Sequence, residues 1–197
     1  MFVSNHTTTR FGRLAAVALL VLPLVVLTGS GNPGEMISNG PDMPDYNYVG
    51  VDGCKMCHRS PAKGNQFGVW EGSDHSKAFA SLASDKGKEV AQAKGIADPQ
   101  KDESCLKCHV TAATLPAERK DGTYKVEDGV GCESCHGAGS AYKAITVMRD
   151  HDQSVANGLL VPDENTCVRC HNEESPTFAG FNYAEALAKV AHPYPQN

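Results

Sequence analysis

Every cysteine of this 197-residue chain lies in one of four Cys-x-x-Cys-His motifs. From the first to the fourth, they are CKMCH (54–58), CLKCH (105–109), CESCH (132–136) and CVRCH (167–171). Two cysteines at this spacing can form two thioether bonds to one porphyrin, and the adjacent histidine can bind the iron. The motifs therefore predict four covalently attached haems of the c type. The predicted attachment residues are Cys54, Cys57, Cys105, Cys108, Cys132, Cys135, Cys167 and Cys170, and the predicted proximal iron ligands are His58, His109, His136 and His171.

Two other chemistries use cysteines at this spacing. Eight cysteines in an exported chain can form four disulfides, but a disulfide framework does not require a histidine after every second cysteine. Paired Cys-x-x-Cys units can also bind two zinc ions through four thiolates each, which again leaves the four histidines unexplained. Haem attachment accounts for the cysteines and the histidines together. The gaps of 46, 22 and 30 residues between successive motifs are irregular, which excludes a solenoid repeat of fixed period.

The remaining histidines are candidates for the opposite face of each iron. His6 lies in a segment that is interpreted below as a leader, which leaves His75, His151 and His192 for four irons. The count predicts three haems with two histidine ligands and one haem that is five-coordinate or bound by another group. A methionine ligand is possible but not favoured, since Met56, for example, lies inside its own motif.

The segment around His75, VWEGSDHSKAFASLAS, predicts an amphipathic helix. A cap at Ser73 or Asp74 would begin a helix over 73–83, on which His75 shares a face with Phe79. An imidazole beside an aromatic side chain suits packing against a haem. The alternative is an ordinary, half-buried histidine.

The other two candidates lie in different surroundings. His151 is flanked by Asp150 and Asp152, and a carboxylate beside a ligating imidazole can accept its second N–H. The alternative for His151 is a solvated surface histidine. His192 follows the helix-like YAEALAKVA and precedes Pro193, so it is expected at or just past a helix end. The alternative for His192 is a disordered tail.

Few residues are available to position so many haems. Roughly 40 residues per haem are too few to enclose four porphyrins in separate apolar cores, so the haems are expected to pack together and form the core. Each motif is expected to begin or end a short helix. Further helices are predicted over 86–95 and 183–191, and a turn or hairpin is predicted over 115–129 around Asp121. Glycines in 137–143 are expected where the backbone passes close to a porphyrin.

The N-terminus predicts an exported protein. Arg10 and Arg13 precede an apolar run over 14–27, and small residues follow it, which is the order of a secretory signal peptide. A spanning helix needs about 20 apolar residues, more than this run provides. Ser30 stands where a lipoprotein signal would carry its cysteine, so a lipid anchor is not supported.

These features predict three segments along the chain. A cleaved signal peptide is expected over 1–31, an extended lead-in over 32–48 and a tetrahaem domain over 49–197. The predicted location is the periplasm. The alternatives are an extracellular location or a membrane tether formed by an uncleaved leader.

The charge balance bears on possible partners. Residues 1–34 hold two of the 18 basic residues and none of the 23 acidic ones, so the remainder has a formal charge of −7. An acidic protein is a poor candidate for binding nucleic acid. Redox proteins that present a basic patch are the expected partners, and salt should weaken such docking. The oligomeric state is left open.

The local sequences together resemble the tetrahaem cytochrome c-554 family. Over residues 49–192 they follow the family order, and GVGCESCHGAG and the Trp-x-x-Ser-x-His element are the most specific parts. The resemblance implies a mainly helical fold with few short helices, little sheet and a core of four closely packed haems. It also implies that His75, His151 and His192 are the distal ligands and that the haem at His109 has an open face. The acidic charge and the short tail of 172–197 depart from the family pattern.

Three functions remain open at this point. The first is a multihaem electron carrier between redox proteins. The second is an oxidoreductase whose open iron at His109 reduces a small molecule such as nitric oxide, with charged residues nearby in sequence at Lys107, Glu118, Arg119 and Lys120. The third is the subunit of a haem filament, in which a histidine of a neighbouring chain fills the open site. No catalytic triad, phosphate-binding loop or paired-carboxylate site is found, so no catalytic residue is assigned.

Overall fold

The computed structural model describes residues 1–3 and 45–192. The chain divides into two compact units, residues 1–38 and 39–197, and the second unit contains all four motifs. Its described part is mainly α-helical, as predicted, and contains no β-strand; Tyr48 and Lys120 form one isolated parallel bridge. The α-helices are α1 (Val51–His58), α2 (Gln66–Glu71), α3 (Ala78–Leu82), α4 (Asp85–Ala93), α5 (Glu103–His109), α6 (Cys132–His136), α7 (Ile145–Met148), α8 (His151–Ala156), α9 (Glu164–Val168) and α10 (Tyr183–Val190).

The helices are short, and side-chain caps fix where several of them begin. Isolated helices of fewer than about 12 residues are marginal in water, so these need capping and packing to persist. At the start of α9, the Asp163 carboxylate accepts the backbone N–H of Thr166, and the Thr166 hydroxyl lies 3.2 Å from the Asp163 backbone nitrogen, forming a capping box. At the starts of four other helices, a side chain likewise accepts a backbone N–H of the first turn; the accepting residues are Ser84, Asp102, Asp150 and Asn182.

The predicted helices are present, but the one around His75 differs in form. Residues 86–95 correspond to α4 and 183–191 to α10. In the segment predicted as one helix over 73–83, His75–Lys77 is a 3₁₀ turn, and α3 begins only at Ala78. The capping prediction was wrong because neither Ser73 nor Asp74 caps with its side chain. The Ser73 hydroxyl donates instead to the Trp70 carbonyl at 2.7 Å.

The segment 115–129 forms a turn and not a hairpin. The Tyr124 N–H donates to the Asp121 carbonyl at 3.0 Å, which closes the predicted turn. Two 3₁₀ turns, Ala117–Arg119 and Val126–Asp128, occupy the places where strands would lie. The backbone here pairs elsewhere, since the Tyr48 N–H donates to the Arg119 carbonyl at 2.8 Å. The segment before α1 therefore takes the hydrogen bonds that a second hairpin strand would need.

The hydrophobic core of the described residues is small. Two of its members, Val49 and Val51, lie at the start of α1. Several large apolar side chains remain exposed, including Val161 at 66% and Leu160 at 40%. So small a core cannot by itself stabilise a domain of about 150 residues. The buried hydrophobic residues are Tyr48, Val49, Val51, Leu82, Ala91, Val110, Ala138 and Tyr142.

Most of the predicted leader (1–31) and most of the lead-in (32–48) lie outside the described residues, so the segment boundaries stay predictions. Within residues 1–3 and 45–192, no helix has the length and apolar character needed to cross a membrane.

Candidate haem-binding site

Each motif occupies a short helix or the end of one. The proximal histidines His58, His109 and His136 are the last residues of α1, α5 and α6. In the fourth motif, α9 ends at Val168, and the His171 N–H still donates to the Cys167 carbonyl at 3.0 Å. Helical residues three and four apart share a face, so this geometry presents two thiols and one imidazole on the same side. One porphyrin can be held by such a face.

The thiols of different motifs approach one another in two pairs. Cys54 of the first motif interacts with Cys132 of the third, and Cys108 of the second interacts with Cys170 of the fourth. The contact with Cys170 lowers the pKa of Cys108 to about 7. The structure thus places the first motif beside the third and the second beside the fourth.

Three proximal histidines use their Nδ1 atoms in hydrogen bonds. The His109 Nδ1 lies 2.7 Å from the Ala78 carbonyl, and the His136 Nδ1 lies 3.2 Å from the Leu160 carbonyl. The His58 Nδ1 lies 3.3 Å from the Gln66 side-chain oxygen. Because an oxygen acceptor requires the proton on Nδ1, the Nε2 atom of each ring carries no proton and is able to bind a metal.

The rings of two distal candidates lie near those of two predicted proximal histidines. The ring centroids of His75 and His171 are 6.1 Å apart, and those of His136 and His192 are 5.8 Å apart. Metal–imidazole bonds of about 2 Å on both sides, added to the ring radii, give a spacing of about 6 Å. Each pair can therefore hold one iron between its rings.

Three of these imidazoles have a lowered pKa. Desolvation by the surrounding protein lowers the pKa of His75, His136 and His192, although His192 is exposed, and so favours the neutral ring. A metal binds the neutral form of histidine.

The third distal candidate has a different setting. His151 is exposed, and its Nδ1 lies 3.6 Å from the Asp152 carboxylate. The neighbouring carboxylate expected from the sequence is therefore present. In the described part of the chain, neither His58 nor His109 has a ring contact with another histidine. The role of His151 as an iron ligand stays a prediction.

The other two interpretations of the cysteines find no support in the structure. All eight cysteines are free of disulfides. Four-thiolate zinc sites need clusters of ligands, and the described residues contain no group of three or more His, Cys, Asp or Glu side chains suited to a metal. The haem interpretation accounts for more of the structure, because each motif brings its thiols and its imidazole together and the hydrophobic core of the described residues is small.

Two junctions connect the motifs, and the sequence did not reveal how. At the first–third junction (Val49, Gly50, Glu133 and Gly139), the Glu133 carboxylate accepts backbone N–H groups. At the second–fourth junction (Lys107, Cys108, Cys170 and Glu174), Lys107 forms an ion pair with Glu174. Glu133 and Lys107 each occupy a variable position between the two cysteines of a motif. That position is the only signal in the sequence that could have marked them as functional residues.

A third contact joins the third and fourth motifs. The Arg169 guanidinium donates to the Ser134 carbonyl at 2.7 Å, again between non-cysteine positions of two motifs. A further bond fixes the loop before the third motif to α2, since the Trp70 indole N–H donates to the Val130 carbonyl at 2.8 Å. These bonds place all the motifs within one connected frame.

The glycines after the third motif are explained by close protein contacts. Gly137 has a φ of +76°, and a Cβ there would lie 2.7 Å from the Gly158 carbonyl oxygen. A Cβ at Gly139 would lie 3.0 Å from the Glu133 carboxylate. Both positions therefore need glycine for the polypeptide alone, and the predicted approach to a porphyrin stays a separate expectation.

Comparison with known proteins gives a consistent result. Residues 53–137 match a family described as cytochrome c554 and c-prime. Cytochrome c-554 of Nitrosomonas europaea is 33% identical over 120 residues, which cover 56% of this chain and 44% of that protein. The C-type polyheme cytochrome OmcB of Geobacter sulfurreducens is 27% identical over 97 residues, which cover 46% of this chain and 12% of that protein. The matched region thus spans less than half the length of each relative. No solved structure matches the chain significantly.

Proposed function

Because the chain belongs through residues 53–137 to the cytochrome c-554 family, we propose that it is a multihaem c-type cytochrome that carries electrons between redox partners outside the cytoplasm. Covalently bound haem c follows from the family. The number four is our proposal and assigns one haem to each motif. Closely packed haem centres exchange electrons readily, so a relay is the function that such a protein can perform without further machinery.

The spacing of the histidine rings is the observation that carries this proposal. We assign His75 to the iron bound by His171 and His192 to the iron bound by His136, because each pair leaves room for one metal. This leaves His151 for one of the two other irons. The family resemblance places the open face at His109, so we assign His151 to the iron bound by His58.

Protein groups tune a haem through its axial ligands, the hydrogen bonds of those ligands and burial. The carbonyls of Ala78 and Leu160 accept from His109 and His136 and so fix the orientation of both rings. Such acceptors also raise the basicity of a ligating imidazole. The proximal ligands proposed for two different irons are in this way held by backbone carbonyls.

The cellular setting is also proposed. Residues 1–31 act as a cleaved signal peptide, 32–48 as a lead-in and 49–197 as the haem domain, in the periplasm. The formal charge of −7 after the leader favours partners that dock through a basic patch. Association with such a partner should weaken as salt is added.

The direct test is to count the haems and examine the iron ligands of the purified full-length product. Mass spectrometry should show four covalently attached haems. Electron paramagnetic resonance should show three low-spin haems and one high-spin haem. Fewer than four haems would contradict the attachment assignment, and wholly low-spin spectra would contradict the open face.

A second function is favoured by the surroundings of His109. Its Nδ1 is held by the Ala78 carbonyl, and no histidine ring faces it within the described residues. An iron bound there on one side only could bind a small molecule such as nitric oxide on the other. Nitric oxide or carbon monoxide should then shift the high-spin signal, and a turnover assay with an electron donor should show whether the ligand is reduced. Binding without turnover would leave the protein an electron carrier.

A further inference from the structure

Glu133 is a buried carboxylate in the middle of the third motif. Its side chain lies in a residue that is only 4% exposed. The Oε1 atom accepts the N–H of Val49 at 2.9 Å and of Gly139 at 2.7 Å, and the Oε2 atom accepts the N–H of Gly50 at 2.8 Å. Among the described residues, Glu133 has no ion-pair partner, so backbone dipoles alone offset its charge.

Two of these bonds connect two attachment helices, and the third joins Glu133 to the segment that follows its own helix. Val49 and Gly50 immediately precede α1, which carries Cys54, and Gly139 follows α6, which carries Cys132. The backbone bonds are short and buried, so they restrict how α1 and α6 can move relative to each other. The contact between the thiols of Cys54 and Cys132 lies beside this same carboxylate.

The hydrogen-bond pattern requires the ionised form. All three partners are donors, and both carboxylate oxygens accept, so a proton on Oε2 would point at the Gly50 N–H. Burial raises the pKa of the Glu133 carboxyl above its usual range, while the N–H groups of Val49, Gly139 and Gly50 act to lower it. The three donors thus stabilise the charged form of a carboxyl group whose burial disfavours that form.

We propose that Glu133 is a positioning residue and a buried anion for the haems of the first and third motifs. It holds α1 and α6 together, and its charge lowers the midpoint potentials of both haems. This inference rests on the proposed function. Reduction by a redox partner adds one electron to a ferric iron and so removes one positive charge from it. A fixed anion nearby opposes that step, and it does so strongly where water is excluded.

The test compares three variants of the full-length holoprotein by spectroelectrochemical titration. Glu133→Gln keeps the size of the side chain and removes its charge. Glu133→Asp keeps the charge and shortens the reach. The matched control is Glu103→Gln, which makes the same chemical change at an exposed position just before the second motif.

We expect Glu133→Gln to move the midpoint potentials of two haems to more positive values and to leave the other two in place. Glu133→Asp should show a much smaller positive shift, and Glu103→Gln should match the wild type. Equal shifts in Glu133→Gln and Glu133→Asp would overturn the role of the charge. Unchanged potentials in Glu133→Gln, with four haems attached, would overturn it as well.

Haem attachment is measured in the same samples. If Glu133→Gln fails to retain its haems and Glu133→Asp retains them, the positioning role of the carboxylate is supported. If both variants lose haem, Glu133 acts on attachment alone, and the electrostatic part is overturned. Failure of the proposed function can be distinguished from failure of this inference, because it would be seen in the wild-type protein. The wild type would then lack four haems or would show no reversible redox titration.

Discussion

The first–third junction is buried and the second–fourth junction is exposed, although both bring two haem motifs together. The first is formed by a carboxylate and three backbone N–H groups, beside the fully buried Val49. The second is formed by Lys107 and Glu174, whose side chains are 44% and 62% exposed. Buried charge-assisted bonds stabilise a fixed arrangement, whereas exposed ion pairs contribute little.

This difference indicates which of the two junctions the polypeptide can stabilise without its haems. Five of the eight buried hydrophobic residues in the described part belong to or adjoin segments of the first–third junction: Tyr48, Val49, Val51, Ala138 and Tyr142. The second–fourth junction has no comparable set of side chains there. We infer that the haems themselves supply most of the packing between the second and fourth motifs.

The largest expected effect comes from crowding the first–third junction at Gly50. Its φ is +76°, and a Cβ there would lie 2.6 Å from the Thr123 carbonyl oxygen. Gly50→Ala should therefore destabilise the holoprotein by about 2–4 kcal/mol through strain and overpacking. Thermal unfolding measures this, at about 2–4 °C per kcal/mol for a protein of this size.

Gly95→Ala is the control for that substitution. Gly95 has a similar φ of +71°, but a Cβ there would meet nothing within 4 Å. The Gly95→Ala variant should therefore lose only about 1 kcal/mol of unfolding free energy, which is the penalty of an alanine in the left-handed conformation. Equal losses in the two variants would show that the junction around Gly50 is not tightly packed.

The next effect concerns the iron ligands of two haems, one at each junction. His192→Ala should make the haem of the third motif high-spin, and His75→Ala should do the same for the haem of the fourth motif. The double variant should convert two haems, because the two histidine pairs are separate. Electron paramagnetic resonance counts the high-spin haems. A variant whose spectrum stays that of the wild type would remove its histidine from the ligand assignment.

A smaller effect is expected from one buried hydrogen bond near the first–third junction. The Tyr142 hydroxyl donates to the Gly137 carbonyl at 2.8 Å, and the residue is 5% exposed. Tyr142→Phe should destabilise the protein by about 1–2 kcal/mol, since it leaves that carbonyl without its partner. Tyr46→Phe is the matched control, because the Tyr46 hydroxyl makes no hydrogen bond within the described residues. Chemical unfolding should show a lower free energy of unfolding for Tyr142→Phe and a value close to that of the wild type for Tyr46→Phe.

The sequence predicts local features of this frame and misses its distant contacts. The motifs, α4 and α10 follow from spacing and periodicity, which are local properties. The bond from Val49 to Glu133 joins residues 84 positions apart, and no local pattern encodes it. The same limit applies to the pairing of His75 with His171. The sequence distinguishes His75 from its neighbours as a candidate, but which histidine its ring lies near depends on how the chain folds back.

The smallest effect is expected at the second–fourth junction. The Lys107 ammonium lowers the pKa of the Glu174 carboxyl by hydrogen bonding and by charge. A lowered carboxyl pKa means that the pair stabilises the fold above the ordinary pKa of glutamate, and that this contribution is lost as the pH falls through the lowered value. Lys107→Gln should therefore lower the thermal midpoint slightly at pH 7, less than Tyr142→Phe does, and match the wild type in strong acid. Salt should also reduce the difference, because the pair is exposed. A large loss at pH 7 that persists in salt would show that this junction is as tightly built as the first–third one.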